Sequence, residues 1–443
     1  MRTKTYHINR QALSGNFVLG IDPGKQNHCG VIIDATGQPQ GSAFSFPVSR
    51  EGFDEVLPVQ LAERLVSGYG PDNLVLAVET SCNLWITIAH HFHALGYRVV
   101  LVSPVATRHA RPMLDNDFSK SDPKDALLVA DNAQKGSYTR FRMFEEHIEA
   151  AHQLSITYDK LTKDRTKLKL RLRSFMERIF PEYLGAFNIT TKTSLHLLER
   201  YFLPQHYLDI DAEVEGEALS KVSQGRHRAP TIRKLKDWAR SSIGVDVSGQ
   251  EEAHRIILDG WITAIRQVQD QLDRVKKGMI SLVRDEPSFD ILTSLPNISE
   301  NLAAQFIAET RGPDRFGHFK EIEKLAGTNV RISDSGKSRG RRRMSKMGNS
   351  RLRRVVYQMT TQTAKVVPQV RRRFLERELK RKCYRKNICA STSQLLRLIV
   401  VLLKERRPYE DRPDLDAHLA KLEHKYATRY NKKPRTRIVR VAA

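Results

Sequence analysis

The sequence predicts three parts: an α/β N-terminal domain, a helical middle part with coiled-coil seams, and a mainly α C-terminal domain. Three observations support this prediction. Strand and helix patterns alternate over about the first 140 residues, heptad spacing begins at Leu154, and strongly basic helical segments follow Pro287. We therefore expect domain boundaries at 1–145, 146–286 and 287–443 of the 443 residues.

The N-terminal domain begins with three short strands joined by tight turns that contain glycine. These strands are predicted at Phe17–Asp22, Cys29–Asp34 and Ser42–Phe46. Helices and strands then alternate, with helices at 51–67, 84–95 and 122–133 and strands at 74–79 and 99–102. A three-stranded meander followed by alternating helix and strand is the order expected of a ribonuclease-H-like α/β domain.

Two long helices with apolar heptad seams are predicted on either side of a polar segment at about 185–250. The first seam, 154–179, has one polar exception, Arg165, and the second, 258–282, has none. The helices could fold back on each other within one chain or pair between two chains. We expect pairing between chains, because a long arm needs a partner that buries its seam. The sequence of the intervening segment indicates no role for it.

Charge is distributed unevenly along the chain. Lys and Arg number 74 against 50 Asp and Glu, a net charge of +24, yet residues 1–150 contain 14 basic and 16 acidic side chains. The excess is greatest at 337–354, which has nine basic side chains and no acid. Such a segment favours nucleic acid as a partner, through counterion release. A membrane is not expected as a partner, because the basic segments lack an aromatic amphipathic face and the apolar run 395–403 is short.

Four acidic residues are the candidates for catalysis. Asp22 and Glu79 each end a predicted strand, so they would lie side by side if those strands were neighbours. Asp122 and Asp125 are three residues apart on a predicted helix and therefore share a face. Each acid alone could be a helix cap or a surface charge, but four converging carboxylates repel one another unless cations neutralise them. Hard oxygen ligands suit Mg²⁺ or Mn²⁺, and a metal pair can hold both the attacking and the leaving oxygen in phosphoryl transfer.

Short motifs occur in a fixed order in both halves of the sequence. They are Gly20–Lys25, Val78–Trp85 and Lys120–Ala126 in the first half, and Leu295–Ser299, Met344–Lys346 and Gly348–Arg354 in the second. In residue content and order these motifs resemble the insertion-sequence one-ten family of transposases, which are bridge-RNA-guided DNA recombinases. The resemblance spans about 15–140 and 288–365.

The resemblance implies a RuvC-like domain that holds Mg²⁺ on an Asp-Glu-Asp-Asp set, here Asp22, Glu79, Asp122 and Asp125. It further implies a coiled-coil arm and a C-terminal transposase domain with a serine nucleophile. The family's serine precedes a glycine, which selects Ser335 over the alternatives Ser333 and Ser338. A composite site between protomers, a homodimer that assembles to a tetramer, and a non-coding guide RNA that pairs with target and donor DNA are also implied. We expect the protein in the cytoplasm of a bacterium or archaeon, at the nucleoid.

Phosphate contacts are predicted for the basic run around and after Ser335. The predicted residues are Lys337, Arg339, Arg341, Arg342, Arg343, Lys346, Asn349, Arg351, Arg353 and Arg354. Two other functions remain open at this point. One is a resolvase-like, metal-dependent DNA nuclease that uses water, and the other is a non-catalytic protein that binds RNA and DNA.

Overall fold

The computed structural model describes residues 2–81, 83–332, 334–335, 338–340, 342–380, 383–411 and 416–431. The chain divides into two compact units, 1–143 and 144–443. The first unit is built around a mixed β-sheet, and the second is mostly helical.

A six-stranded mixed sheet forms the centre of the first unit. Its strands are β1 (Phe17–Asp22), β2 (Asn27–Ile33), β3 (Phe44–Pro47), β4 (Leu74–Glu79), β5 (Arg98–Val102) and β6 (Thr139–Arg140). They lie in the order β3-β2-β1-β4-β5-β6, with β1, β4 and β5 parallel and the other pairings antiparallel. The predicted strands are present with ends shifted by no more than two residues, and β6 is additional.

Helices cover both faces of this sheet. They are α1 (Arg2–Ala12), α2 (Leu57–Arg64), α3 (Leu84–Ala94), α4 (Pro104–Asp115) and α5 (Asp122–Gln134). Helices α2 and α3 share a core with one face of β1 and β4, and α5 packs on the other face. β1 and β4 are buried along almost their whole length because both faces are covered. Helices α1 and α4 are not among the predicted elements.

The second unit begins with a pair of long helices that encloses three short ones. In chain order they are α6 (Glu146–Ile179), α7 (Lys192–Leu198), α8 (Ala212–Ser223), α9 (Ala229–Arg240) and α10 (Glu251–Val283). Helices α6 and α10 pack against each other within the chain, and their seam residues Phe175, Leu258 and Leu272 are buried. Other seam residues, such as Leu161 and Val268, stay partly exposed, so the α6–α10 pairing buries each seam only in part. Pairing of the arm between two chains stays a prediction.

Arg165, the polar exception in the first seam, has a polar partner across the pair. Its Nη1 donates a 2.9 Å hydrogen bond to Oε1 of Gln269 on α10. A Cβ atom on Gly278 would contact Leu154 at 3.4 Å, so the start of α6 lies beside the end of α10. A single polar pair in an apolar seam fixes the register of two helices. The pair of Arg165 and Gln269 is placed to fix the register of α6 and α10 in this way.

The segment between the long helices (180–250), which we call the tip, folds around a core of its own. Phe180, Tyr183, Phe202 and Tyr207 are fully buried there together with apolar residues of α8 and α9. The ends of α6 and α10 contribute to the same core. The tip is therefore a folded helical unit that caps the arm formed by α6 and α10.

The remainder of the second unit is mainly α, as predicted. Its helices are α11 (Pro287–Thr293), α12 (Glu300–Thr310), α13 (Phe319–Ala326), α14 (Ser350–Thr363), α15 (Pro368–Glu378), α16 (Tyr384–Glu405) and α17 (Asp416–Tyr430). Four short strands lie between α13 and α14: β7 (Val330–Arg331), β8 (Asp334–Ser335), β9 (Ser338–Arg339) and β10 (Arg343–Met344). Ile148 and Met279 at the base of the arm belong to the same hydrophobic core as Phe306 and Val355.

Helix α16 is long and apolar enough to cross a membrane, judged by length and composition alone, and is the one such helix among the described residues. Of its most apolar stretch, 56% is buried inside the fold. A core helix of a folded domain has these same properties.

Candidate active site

Two carboxylates lie next to each other at one edge of the sheet. β1 and β4 are parallel and pair Ile21 with Val78, so the residues that follow, Asp22 and Glu79, occupy adjacent positions at the strand ends. Both residues are buried, with 8% and 6% of their surface exposed. β1 and β4 are therefore neighbouring strands, so Asp22 and Glu79 lie side by side as the sequence predicts for adjacent strands.

Helix α5 adds two more carboxylates because it crosses β1 at very short range. A Cβ atom on Gly20 would lie 2.2 Å from the carbonyl oxygen of Ala126, so glycine is needed for this approach. The approach brings Asp125, which is buried, close enough to Asp22 to act on its ionisation. Asp122 is the first residue of α5, and its side chain is exposed.

The ionisation of Asp22 reflects the crowding of negative charge. Burial, followed by repulsion from Glu79 and Asp125, raises the pKa of Asp22 to about 6, although Lys120 lowers it in part. Cys29 lies opposite Asp22 on β2. Burial, together with the neighbouring aspartates, raises the pKa of the Cys29 thiol to about 11. A cation bound here would relieve this repulsion.

Arg111 on α4 belongs to this site, and the sequence reasoning misses it. Its Nε and Nη2 each donate a 2.8 Å hydrogen bond to one oxygen of Asp125. Only 17% of the Arg111 side chain and 1% of the Asp125 side chain are exposed. The hydrogen bonds to Asp125 raise the pKa of Arg111. Pro112 inside α4 obscures this helix, although Ser103 as N-cap and Pro104 in the first turn are a readable helix start.

The four acids offer oxygen donors but do not yet enclose a common point. Among the described residues, no three of these acids have their ligand atoms within 4.8 Å of one another, and both oxygens of Asp125 bond to Arg111. The group that does meet this criterion is Glu145, His147 and Glu286 near the base of the arm. A 2.7 Å hydrogen bond between His147 Nε2 and Glu286 Oε1 accounts for that proximity.

Lys124 has a structural role in the loop before α5. Its ammonium lies 2.7 and 2.8 Å from the carboxylate oxygens of Asp115 and 3.0 Å from the carbonyl oxygen of Asp117. The side chain of Lys124 is almost fully enclosed. These contacts fold the loop at 115–121 around the Lys124 ammonium and thereby fix where α5 begins, which positions Asp122.

Ser335 lies in a narrow β-hairpin with two tiers, which we call the serine hairpin and which consists of the described residues of β7 to β10 and their connections. β7 pairs with β10 in the lower tier, and β8 pairs with β9 in the upper tier, where Ser335 is opposite Ser338. Asp334 accepts hydrogen bonds from the backbone N–H of Gly340 (3.1 Å) and from Nη2 of Arg342 (2.8 Å). These bonds join the upper tier to the strand that leads back to the lower one.

The predicted phosphate-binding residues fall into two groups in the structure. The first group lies on or just after the serine hairpin, where the exposed members are Arg342, Arg343 and Lys346 and the member in β9 is Arg339. The predicted residues outside the described part of the chain are Lys337 and Arg341, together with the alternative nucleophile Ser333. The second group lies at the start of α14 and consists of Asn349, Arg351, Arg353 and Arg354.

Residues of the second group bond within the protein. Nη1 of Arg353 donates a 2.9 Å hydrogen bond to the carbonyl oxygen of Ala326 at the end of α13. Nη1 of Arg354 pairs with the buried Asp159 of α6, and 29% of the Arg354 side chain is exposed. A buried carboxylate requires a counter-charge, so Arg354 neutralises Asp159 in this fold. A phosphate contact for these residues stays a prediction.

Two family models match the chain, one on each side of the tip. The first is a transposase model for the DEDD domain of IS110 elements and matches residues 19–181. The second is described as "Transposase IS116/IS110/IS902 family" and matches residues 289–375. The chain belongs to the IS110/IS116 family of transposases. The first match contains the four acids from Asp22 to Asp125, and the second contains Ser335.

Curated relatives of this transposase are similar along most of its length. It is 24% identical over 358 residues to the uncharacterized 44.8 kDa protein of insertion element IS116 from Streptomyces clavuligerus, covering 79% of this chain and 85% of that protein. It is 21% identical over 418 residues to the uncharacterized 43.6 kDa protein of insertion element IS110 from Streptomyces coelicolor, covering 91% and 97%. The N-terminal unit is accordingly a DEDD transposase domain, and the enzyme is a DNA transposase.

Glu309 on α12 is a second residue of the transposase that sequence reasoning misses. Its fully buried carboxylate accepts hydrogen bonds from Ser155 Oγ on α6 (2.7 Å), from Asn349 Nδ2 (2.6 Å) and from Arg351 Nε (2.8 Å). Asn349 also caps α14 through its side-chain oxygen. Glu309 therefore joins the arm to the point where the chain leaves the serine hairpin. Its partners are too distant in sequence for any local pattern to indicate them.

Proposed function

We propose that this transposase is an RNA-guided DNA recombinase of an insertion sequence, which cuts and rejoins strands through a serine–phosphate intermediate. The observation that supports the catalytic part best is the convergence of acids at one sheet edge. Parallel strands β1 and β4 end in Asp22 and Glu79, and α5 adds Asp125 and, one turn earlier, Asp122. The strand order β3-β2-β1-β4-β5 supports the proposal that this domain is ribonuclease-H-like and, more narrowly, RuvC-like.

The four acids are proposed to hold Mg²⁺, or Mn²⁺ in its place. Carboxylate oxygens are the preferred ligands of these ions. Burial and repulsion from Glu79 and Asp125 together raise the pKa of Asp22 to about 6, and the repulsion favours a bound cation. When bound, the ion supplies Lewis-acid polarisation of a DNA phosphate. The chain itself supplies orientation, since β1 and β4 align Asp22 with Glu79 and Gly20 lets α5 approach.

Ser335 is proposed to be the nucleophile. Its Oγ forms a bond to phosphorus while the bond from phosphorus to one strand oxygen breaks, and the hydroxyl proton passes to the leaving oxygen or to water. The energy of the broken bond is kept in the phosphoserine, so the strand can be rejoined without another energy source. The exposed cations Arg342 and Arg343 lie on the same hairpin and suit a DNA phosphate.

The proposed partners are target DNA, donor DNA and a non-coding guide RNA. A homodimer that assembles to a tetramer would let the acids of one protomer meet the serine of another. The protein would act at the nucleoid in the cytoplasm of a bacterium or archaeon. Within the basic run, the exposed residues Arg342, Arg343 and Lys346 are proposed to contact phosphates, and the same contact is proposed for Lys337, Arg339 and Arg341.

A metal-dependent nuclease that uses water is the second candidate. One observation favours it: all four acids lie in the first unit, so that unit contains a complete carboxylate set without Ser335. The experiment that separates the two candidates compares Ser335→Ala with Ser338→Ala on a nicked suicide substrate. We expect Ser335→Ala to lose both strand exchange and the denaturant-resistant protein–DNA adduct, and Ser338→Ala to keep them.

The adduct is mapped to its residue by mass spectrometry. An adduct on Ser333 or Ser338 would correct the residue and keep the mechanism. Full strand exchange by Ser335→Ala would refute the serine mechanism and leave the nuclease. A companion variant, Asp122→Asn, should abolish strand cleavage while RNA and DNA binding persist, because binding depends on the basic second unit. Cleavage at the wild-type rate by Asp122→Asn would refute the metal site.

A further inference from the structure

A polar groove of about 460 Å³ lies between α15 and α16. Each helix lines the groove with residues at positions i, i+3, i+4 and i+7, which form one helical face. On α15 these run from Gln369 to Glu376, and on α16 from Ala390 to Arg397. Faces that meet between packed helices are normally apolar, yet among the described residues that line this groove Ala390 is the only apolar one. The apolar faces of both helices instead enter the core beneath it.

Positive charge exceeds negative charge in this groove. Its lining contains three arginines, Arg372, Arg373 and Arg397, and one acid, Glu376. Arg372 Nε lies 3.1 Å and Arg373 Nη1 lies 3.6 Å from the carboxylate of Glu376, so one acid is shared by two guanidinium groups. The side chains of Arg372 and Arg373 are 44% and 49% exposed, which leaves donors of both groups accessible to a ligand.

Arg397 is held in the groove by an aromatic ring. Its guanidinium carbon lies 4.6 Å from the ring centroid of Phe319 on α13. Within the described ranges, no carboxylate lies within ion-pair distance of Arg397. Stacking orients the guanidinium plane while its N–H edge stays free to donate. Ser393, also in the lining, bonds to Glu323 of the same α13 and thereby ties α16 to the helix that supports Arg397.

We propose that this groove binds the phosphodiester backbone of a polynucleotide. Planar guanidinium groups with free edges match phosphate oxygens in pairs, and the groove presents two such groups on α15 and one on α16. The site is distinct from the serine hairpin, since it is built by helices that follow α14 in the chain. The inference rests on the proposed function for the kind of partner, and both DNA and RNA supply this chemistry.

The test compares two triple variants of the full-length protein. The groove variant is Arg372→Gln, Arg373→Gln and Arg397→Gln. The matched control is Arg173→Gln, Arg233→Gln and Arg240→Gln, which removes the same charge from side chains of α6 and α9 that are 56%, 61% and 67% exposed. Binding of a labelled DNA duplex and of a labelled structured RNA of equal length is measured over a series of KCl concentrations. Circular dichroism verifies that both variants are folded.

The log–log slope of affinity against salt should fall in magnitude by about 2 to 3 for the groove variant, since each lost phosphate contact removes about 0.7 to 0.9. The control variant should keep the wild-type slope. A fall with RNA alone, with DNA alone or with both identifies the polynucleotide in the groove. Arginine-to-lysine replacement at the same three positions should restore the slope but not the full affinity, because lysine keeps the charge and loses the planar fork.

Equal slopes for the groove and control variants with both polynucleotides would overturn the inference. Selective binding of an acidic peptide in place of either polynucleotide would overturn it as well. A different result would refute the proposed function itself: the wild-type protein would bind neither the DNA duplex nor the structured RNA. If Arg342→Ala with Arg343→Ala on the serine hairpin weakens binding and the groove variant does not, the function stands and the groove inference falls.

Discussion

Replacing Asp22 by asparagine is expected to stabilise the metal-free transposase at neutral and alkaline pH. Burial and the charges of Glu79 and Asp125 raise the pKa of Asp22 from 3.8 to about 6. The folded state therefore binds the proton more tightly than the unfolded chain, so this stabilisation is present below pH 3.8 and is lost as the pH rises through about 6. A shift of about 2 units corresponds to about 3 kcal/mol. Asparagine has nearly the same shape and no charge, so it avoids this cost.

The measurement is hydrogen exchange of the β4 peptide, followed by mass spectrometry in the absence of divalent cations. At pH 8, a gain of about 3 kcal/mol would slow exchange through unfolding of the first unit about a hundredfold. The difference between wild type and Asp22→Asn should narrow as the pH falls through about 6, and it should vanish only below pH 3.8, where Asp22 is protonated in the folded and the unfolded state. Adding Mg²⁺ should slow exchange in the wild type and much less in the variant. Asp72→Asn, which changes an exposed aspartate of the same unit, serves as the control for loss of charge.

Faster exchange in Asp22→Asn than in the wild type at pH 8 would refute the reasoning, because it would mean that the ionised carboxylate stabilises the fold. A difference that stays constant between pH 8 and pH 4.5 would also refute it. In that case the effect of the substitution would come from shape or hydrogen bonding and not from crowded negative charge.

Three further predictions concern single side chains of the first unit. Neither ring nitrogen of the buried His28 has a hydrogen-bond partner in the described part of the chain, and burial lowers the pKa of His28 to about 4. The folded state should therefore lose stability as the pH falls from about 6.5 to about 4, and thermal melts of His28→Phe should not show that loss. Gly20→Ala should displace α5, because the new Cβ would lie 2.2 Å from the Ala126 carbonyl oxygen. Calorimetry should then detect no Mg²⁺ binding to the variant, and binding as tight as that of the wild-type protein would contradict this prediction. Arg111→Gln leaves the buried Asp125 unneutralised, which should cost about 3 to 5 kcal/mol without metal. Mg²⁺ should recover much of that loss, and equal losses with and without Mg²⁺ would show that Arg111 is not the counter-charge of the site.

The strands and their terminal acids are predictable from the sequence because each depends on a local pattern. β1 and β4 are short apolar runs that end in Asp22 and Glu79, and the structure has both strands where the pattern indicates them. Helix α5 is equally local, with a Ser121 cap and a proline in its first turn. Such features need no knowledge of what lies across the fold.

Features that depend on distant partners are not predictable in this way. The seam at 154–179 shows that a helix needs an apolar partner but not which helix provides it, and the structure shows that α10 of the same chain is one such partner. The tip combines buried aromatic residues with short helices and turns, and no single period reveals it. Glu309 receives its hydrogen bonds from residues on α6 and on either side of the α14 start, and only the folded chain brings these together.

The carboxylate of Glu309 connects the arm, close to its base, with the segment that follows the serine hairpin, so the arm can act as a lever. Helix α6 has 34 residues, which corresponds to a length of about 50 Å at 1.5 Å per residue. Ser155 lies near the base of α6, and its hydrogen-bond partner Glu309 also bonds to Asn349, the N-cap of α14. A tilt of the arm by about ten degrees about the first residue of α6 moves the tip by about 9 Å, and the same tilt moves Ser155, which lies about 13 Å from that residue, by about 2 Å. Large displacements at the tip are thus reduced to adjustments on the scale of a hydrogen bond where the serine hairpin is attached.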